Sequence, residues 1–289
     1  MARFITKESK PGKGVSKNEP EKRRFFVFFE ILFAKIGKLM QLNLIYTLAL
    51  TPLIMGLYFS FDFNRDIQSF ADLGKMQAFS FHPDYISLII LAVSLFITGP
   101  ATAGFVYVLR NIQRREHAWV LSDFWAQFKK NYVHGLIMSV IDMAGYIALY
   151  VAFGFYMFVM PVDMPQMGSL MPNLAAGVIV AITVIFTWAH YYIYTMMVTF
   201  ELKFSKLFKN AVIFATGKLP LNLLITAIVA AIAIGALYLF VFSPTLLAVI
   251  AGLIGLSLVG LIVVFSTYPT IDTLMLKRVK EETGRVLKY

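Results

Sequence analysis

Two ionisable side chains, Asp142 and His190, lie inside long apolar stretches of the sequence. Charged groups are costly within a bilayer and are therefore often functional. A carboxylate paired with an imidazole could bind or pass on a proton or a cation. Alternatively, neighbouring hydroxyls could cap Asp142, and His190 could hydrogen-bond inside a helix bundle to Tyr191, Tyr192 or Tyr194. We expect the second, structural role, because nothing in the sequence places the two side chains at one depth or on facing helices.

Motifs for catalysis and for metal binding do not occur in the sequence. It contains no cysteine, so thiol nucleophiles, disulfides and thiolate metal sites are excluded. The patterns GxxxxGKS/T, HExxH and GxSxG are absent. The four histidines never fall at metal-ligand spacing on one helix; they are His82, His117, His134 and His190. We therefore expect no enzymatic activity, no catalytic residue, no cofactor and no bound metal.

The elements that must position Asp142 and His190 are membrane spans. The chain has 289 residues, of which 59% are hydrophobic, and its mean hydropathy is +0.73, which is too apolar for a soluble domain. The net charge of +10 does not indicate a nucleic-acid partner, because the basic residues lie between apolar stretches rather than on a polar domain. The lipid bilayer is the expected surrounding. The first apolar stretch is too long for a cleaved signal peptide, so we expect it to remain on the protein.

Six stretches are long enough to cross the bilayer at about 20 residues each. The predicted spans are 39–61, 85–109, 135–160, 173–200, 219–242 and 245–267. The last two come from one uncharged stretch, 219–271, which Ser243 and Pro244 should divide, because proline interrupts a helix and favours a turn. The predicted fold class is all-α, a polytopic membrane protein with six transmembrane helices and two amphipathic cytoplasmic surface helices.

The remaining segments are predicted from charge and composition. Residues 1–24 are expected to be a disordered basic arm, 25–276 the six-span domain and 277–289 a basic tail. The phenylalanine-rich segment 25–39 predicts a helix in the interface plane, or else a long extension of the first span. Residues 62–84 form a polar loop by composition.

The distribution of basic residues predicts the orientation. Lysine and arginine number 10 in residues 1–38, 5 between the second and third predicted spans, 4 between the fourth and fifth, and 5 in the tail, against 2 in residues 62–84. By the positive-inside rule, both termini should lie in the cytoplasm of a cell that carries the protein in its cell membrane.

A first surface helix is predicted after the second span. Apolar residues fall at the spacing of one helical face, namely Leu121, Phe124, Trp125, Phe128 and Tyr132. Ser122 and Asp123 suit its N-terminus. This ridge must be covered by lipid headgroups, by the rest of the chain or by another protein. We expect Trp125 and Phe128 to lead a partner-docking surface.

A second surface helix, Ser205–Thr216, is predicted after the fourth span, capped by Ser205 and ended by Gly217. Phe208 on this helix and Glu201 before it are further candidate docking residues. The loop that contains the helix resembles the coupling loop of importer-type ABC permeases, which begins with glutamate and ends in leucine-proline, as Glu201 and 219–220 do here. However, Leu207 replaces the glycine expected at the turn, and the alanine pair after the glutamate is also missing. We therefore expect a coincidental match rather than direct ATPase docking.

Three segments carry a closer resemblance: NLIYTLALTP (43–52), GPATAGFVYVLRNIQRRE (99–116) and DFWAQFKKN (123–131). They closely resemble the YesL-like family of bacterial membrane proteins, which is catalogued as a domain of unknown function. The resemblance implies an integral membrane protein, mostly of Gram-positive bacteria, often found beside carbohydrate ABC importers and glycoside hydrolases. It implies no established activity and no known site residues. The long loop 62–84 departs from the short members of that family.

Three functional hypotheses follow. The first is a membrane accessory or regulatory protein linked to carbohydrate ABC import, which engages ABC-transporter components through its cytoplasmic amphipathic helices. The alternative is a small-solute transporter in its own right, and a membrane enzyme is a distant third. A transporter would need a polar cavity near mid-membrane, typically where broken helices meet. Candidate helix breaks are Pro52 and the pair Gly99 and Pro100. The sequence does not indicate the oligomeric state.

Overall fold

The computed structural model describes residues 23–63, 79–81, 84–164 and 168–276. This part of the chain contains six helices long and apolar enough to cross a membrane, which confirms the predicted all-α, multi-pass architecture. Spans one to six are Ile36–Ser60, Tyr85–Gln113, Tyr132–Val159, Leu170–Met197, Leu219–Phe242 and Pro244–Met275. The predicted arm and tail, 1–24 and 277–289, lie almost wholly outside the described residues.

Spans five and six separate where the sequence predicted. Span five ends at Phe242, and span six begins at Pro244. The side chain of Ser243 accepts a hydrogen bond from the backbone N–H of Leu246 and so caps the new helix. Span six continues through Pro269 to Met275, well beyond the predicted end at residue 267.

Several shorter elements join the spans. An N-terminal helix, Arg24–Ala34, precedes span one, and a short helix, Met160–Asp163, follows span three. The first surface helix is Val120–Lys130, and the second is Phe204–Gly217. Between spans one and two, strands Phe61–Phe63 and Phe79–Phe81 pair antiparallel, with Phe61 opposite Phe81. This pairing was not predicted, because three residues are too few to show an alternating pattern.

The N-terminal helix is a separate element and not an extension of span one. Lys35 interrupts the two helices. Arg24 donates a hydrogen bond of 2.8 Å to the carbonyl of Phe265 on span six, and Ile31 is buried. The opposite face exposes four large aromatic side chains, Phe25, Phe26, Phe29 and Phe33. An amphipathic helix of this kind suits the membrane interface.

The N-terminal helix and both surface helices lie at one end of the bundle, which we call the basic end. Lys38 donates to the carbonyl of Ala118 at 2.8 Å, and Arg115 pairs with Glu30 at 3.4 Å. Lys130 on the first surface helix pairs with the exposed Glu201 just before the second, at 3.2 Å.

Span two is the central helix, and its half nearest the basic end is almost entirely buried. Gly56 of span one packs against Leu91, and Gly260 of span six packs against Leu109. At the opposite end Asp84 caps the helix, its carboxylate accepting from the N–H of Ser87 at 2.7 Å. This hydrogen bond lowers the pKa of Asp84.

The candidate breaks at Pro52, Gly99 and Pro100 do not end a helix, because span one continues through Pro52 and span two through the other two. The regular hydrogen-bonding pattern changes elsewhere. Single π-helical turns occur at Phe155–Val159 in span three and at Ala251–Gly255 and Asp272–Leu276 in span six. Such turns leave backbone groups without their usual partners.

Asn43 on span one supplies partners for the first π-helical turn of span six. Its amide nitrogen donates to the carbonyls of Ala251 and Gly252, at 3.0 and 2.6 Å. Its amide oxygen accepts from the N–H of Ser257 at 2.9 Å. Asn43 is fully buried. The first and last spans are therefore joined through one side chain.

Candidate functional site

The structure brings Asp142 and His190 together on facing spans three and four. Nε2 of His190 lies 2.6 Å from Oδ1 of Asp142. Nδ1 of His190 lies 2.8 Å from the carbonyl oxygen of Phe186, one helical turn earlier. Counted at about 1.5 Å per residue, His190 lies roughly 10 Å inside the basic end of span four. The pair is therefore within the apolar part of the bundle.

The contact between spans three and four around this pair is close and aromatic. Gly145 lets the ring of Phe186 approach span three, since a Cβ atom there would meet the ring at 3.3 Å. Tyr146 shares a hydrogen bond of 3.2 Å with Thr187. The ring of Phe186 stands edge-on to the imidazole of His190, with centroids 4.9 Å apart. These neighbours fix the orientation of the imidazole.

The expected tyrosine partners of His190 are wrong. Tyr191 shares a hydrogen bond with Thr226 on span five, at 3.0 Å, and Tyr192 donates to Asn222 at 2.6 Å. The hydroxyl of the buried Tyr194 lies beside Thr102 on span two. All three hydroxyls serve contacts other than one to His190. The sequence could not show this, because helical periodicity does not identify the helix that lies opposite.

Two further ionisable residues lie apart from the pair. His134 stacks on Phe204 at the basic end, with centroids 6.2 Å apart, and Asp272 lies in the last π-helical turn. In the described ranges, no three histidine or acidic side chains group closely enough to hold a metal ion.

The candidate docking ridge divides into a buried and an exposed part. Phe124 is fully buried and packs on Gly104 of span two, where a Cβ atom would meet its ring at 3.1 Å. Phe128 is partly buried against the core. By contrast, 57% of Leu121 and 46% of Trp125 are exposed. Phe124 therefore anchors the helix, and Trp125 faces outward.

The first surface helix begins at Val120, so Ser122 and Asp123 lie in its first turn. The carboxylate of Asp123 accepts from the N–H of Trp119 at 2.8 Å, so Asp123 reaches back to satisfy a free donor at the helix start. Ser122 makes no cap. Trp119 itself is 70% exposed and extends the outward face.

The second surface helix packs against the bundle. It begins at Phe204, so the predicted Ser205 cap is wrong. Leu207 is buried inside a continuous helix, and the turn that a permease coupling loop needs at this position is not formed. Phe208 is partly buried against the core, whereas the side chain of Glu201 is 87% exposed. The helix therefore offers little of its apolar face to a partner.

Two buried polar residues that the sequence analysis did not single out hold the basic end together. Arg110, 4% exposed, donates to the carbonyl of Val198 at 2.7 Å, beyond the end of span four. The terminal carbonyls of a helix lack partners and carry partial negative charge, which a cation stabilises. Asn222 on span five donates to the carbonyl of Ala215 at 2.8 Å and so caps the second surface helix. In the sequence, Arg110 is simply the first residue after the predicted span 85–109.

Two clefts lie at opposite ends of the bundle. The larger, about 400 Å³, separates the second surface helix from the end of span six and is lined by Asn210, Ile213, Phe214, Thr273, Leu274 and Met275. The smaller, about 260 Å³, lies where span three leads into span four and includes Tyr156 and Asn173. Neither cleft is lined by Asp142 or His190.

Comparison with known proteins finds a match for one part of the chain. No curated protein matches the chain, and no solved structure matches it. A family model matches residues 39–153, from span one into span three. The matched region includes Asn43, Phe124 and Asp142, whereas His190 lies beyond it. Over residues 39–153 the chain is similar to the family described as protein of unknown function, DUF624.

Proposed function

We propose that this chain is a YesL-like membrane accessory or regulatory protein that acts in carbohydrate import and docks a component of an ABC transporter at its basic end. The importer link rests on the resemblance of residues 43–131. The docking role rests on one observation: the first surface helix is anchored by Phe124 and holds Trp119, Leu121 and Trp125 outward.

The basic end faces the cytoplasm in this proposal, and both termini lie there. The support is the excess of lysine and arginine around this end. The ATPase subunits of ABC importers are cytoplasmic, so a cytoplasmic basic end can reach them as well as the permease.

The alternative to a protein partner is that lipid headgroups contact the exposed tryptophans, since tryptophan is common at the membrane interface. A protein partner is favoured by the ion pair beside the ridge. The exposed side chain of Glu201 pairs with Lys130 at 3.2 Å, which offsets a basic charge that would otherwise attract anionic headgroups. Anchoring by Phe124 also reduces the ordering cost of binding, because the helix is already held in place.

Photo-crosslinking in native membranes tests the proposal. A photoreactive phenylalanine analogue is placed at Trp125, and at the exposed Ala126, about 100° further around the same helix, as the control. We expect one discrete protein adduct from position 125, identified by mass spectrometry as an ABC-importer subunit, and none from position 126. Lipid adducts alone at position 125 would contradict docking and leave the helix as an interfacial anchor.

The interaction should then depend on Trp125. Truncation of a central tryptophan in a buried contact typically costs about 2 kcal/mol or more, so Trp125→Ala should abolish co-purification of the crosslinked subunit. Ser122→Ala is the control.

A small-solute transporter is the second candidate, and the Asp142–His190 contact favours it. Intramembrane ionisable pairs commonly line ion or substrate pathways. Uptake of labelled sugars into proteoliposomes that contain only this chain tests the idea. Uptake that Asp142→Asn abolishes would support transport, whereas no uptake above empty liposomes would leave the accessory role alone.

A further inference from the structure

The hydrogen bonds of His190 define where its protons lie. A backbone carbonyl can only accept, so Nδ1, which lies 2.8 Å from the carbonyl of Phe186, must carry a hydrogen. Nε2 lies 2.6 Å from a carboxylate oxygen of Asp142. A hydrogen bond of this length requires one proton between the two atoms, whether it belongs to the imidazole or to the carboxyl group.

Loss of that proton would leave the imidazole with one hydrogen for two acceptors, the carbonyl of Phe186 and the carboxylate of Asp142, so one of the two contacts would become repulsive. A neutral imidazole with its hydrogen on Nδ1 presents a lone pair at Nε2, and an ionised Asp142 presents lone pairs at the same point. The pair would also change from net neutral to net negative inside the apolar bundle, where an unpaired charge is costly. The arrangement in the structure is therefore the proton-loaded form.

Among the residues that the structure describes, the other titratable groups that face the pair are tyrosines. Tyr146 on span three interacts electrostatically with Asp142 and with Tyr191. Tyr194 on span four interacts with Asp142 and with Tyr46 of span one. Within the described residues, His190 is the basic side chain that pairs with Asp142. The charge of the site is thus set by one proton.

The pair lies at the flank of the bundle. The side chains of Asp142 and His190 are 25% and 20% exposed between spans three and four, and His190 lies roughly 10 Å from the basic end. The contact there is made of few groups, chiefly Phe186 with Gly145 and Tyr146 with Thr187. Such a contact can close or separate without disturbing span two, which holds the core.

We propose that Asp142 and His190 form a proton-binding site that closes the contact between spans three and four when it holds one proton and opens it when that proton is lost to water. The site goes beyond the docking role and does not depend on it. The ligand is the proton itself, and the response is a shift between two packed helices, which typically amounts to about 1–2 Å or more.

Distance measurement between spin labels tests the proposal, because the chain has no cysteine to interfere. Labels are attached at Val151→Cys on span three and Val178→Cys on span four, which are both exposed. A control pair, Leu57→Cys and Val93→Cys, reports on spans one and two. The full-length protein is measured in lipid nanodiscs from about pH 5 to about pH 9, the range around histidine titration.

We expect the distance between spans three and four to lengthen as the pH rises, while the control pair stays constant. Asp142→Asn should keep the short distance at every pH, because its amide can donate to Nε2 without a bound proton. If Asp142→Asn does not fold, His190→Gln is measured instead, and its distance between spans three and four should also be independent of pH. A constant distance in the native background, or the same pH response in the folded variant, would overturn the proposal.

Discussion

Gly99 on span two and Gly135 on span three touch backbone to backbone. A Cβ atom on Gly135 would stand 2.5 Å from the nitrogen of Pro100, and one on Gly99 would overlap the carbonyl oxygen of Gly135. Beside this crossing, the N–H of Gly99 donates to the hydroxyl of Ser139 at 2.7 Å. The absence of side chains at the two glycines lets the helices approach closely, as small residues do in lipid.

Alanine at either glycine should therefore destabilise the bundle. The obstruction is backbone, which cannot rotate away as a flexible side chain would, and overpacking typically costs about 1–3 kcal/mol. Denaturation of purified Gly99→Ala and Gly135→Ala in detergent measures the loss. Gly177→Ala on span four is the matched control, since nothing lies within 4 Å of its Cβ position. Equal stability of all three variants would contradict the close crossing.

Asn43→Ala should be strongly destabilising. The change leaves the carbonyls of Ala251 and Gly252 and the N–H of Ser257 without the partners that Asn43 supplies, and each buried unsatisfied group typically costs about 1–3 kcal/mol. The same denaturation assay applies. Asn173→Ala, at an exposed asparagine on span four, should change the unfolding free energy little. If Asn173→Ala lowered the unfolding free energy as much as Asn43→Ala, the loss could not be attributed to the contacts with the π-helical turn.

The first surface helix should respond differently at its buried and exposed positions. Phe124→Ala opens a cavity against Gly104, and such truncations typically cost about 3–5 kcal/mol. Leu121→Ala, at a residue that is 57% exposed, should leave the unfolding temperature nearly unchanged. Comparable losses in the two variants would mean that the ridge is buried along its whole length.

The sequence predicted the spans well and their contacts poorly, for a physical reason. Long uncharged stretches identify crossings because charge in lipid is costly, and Ser243 with Pro244 divides the longest stretch as expected. Which helix lies opposite which is a tertiary property, so the pairing of Asp142 with His190 could not be predicted. Nor could the buried position of Arg110, because an arginine after an apolar stretch ordinarily marks the membrane surface.

Orientation can be measured with single cysteines. Lys206→Cys lies on the second surface helix at the basic end, and Ser169→Cys lies before span four at the opposite end; both native residues are exposed. With the basic end in the cytoplasm, a membrane-impermeant thiol reagent should label Ser169→Cys in intact cells and Lys206→Cys only after the cells are opened. The reverse pattern would invert the proposed topology.

The contacts of Asn43 also bear on folding during synthesis. Its partners lie 208 or more residues later in the chain, whereas chains fold from the N-terminal side during synthesis. Span one therefore enters the lipid with an unpaired amide, which stays unpaired until the ribosome has completed span six. A chain cut short after span five would retain a polar group in hydrocarbon, and membrane proteases should remove such fragments faster than the full-length protein.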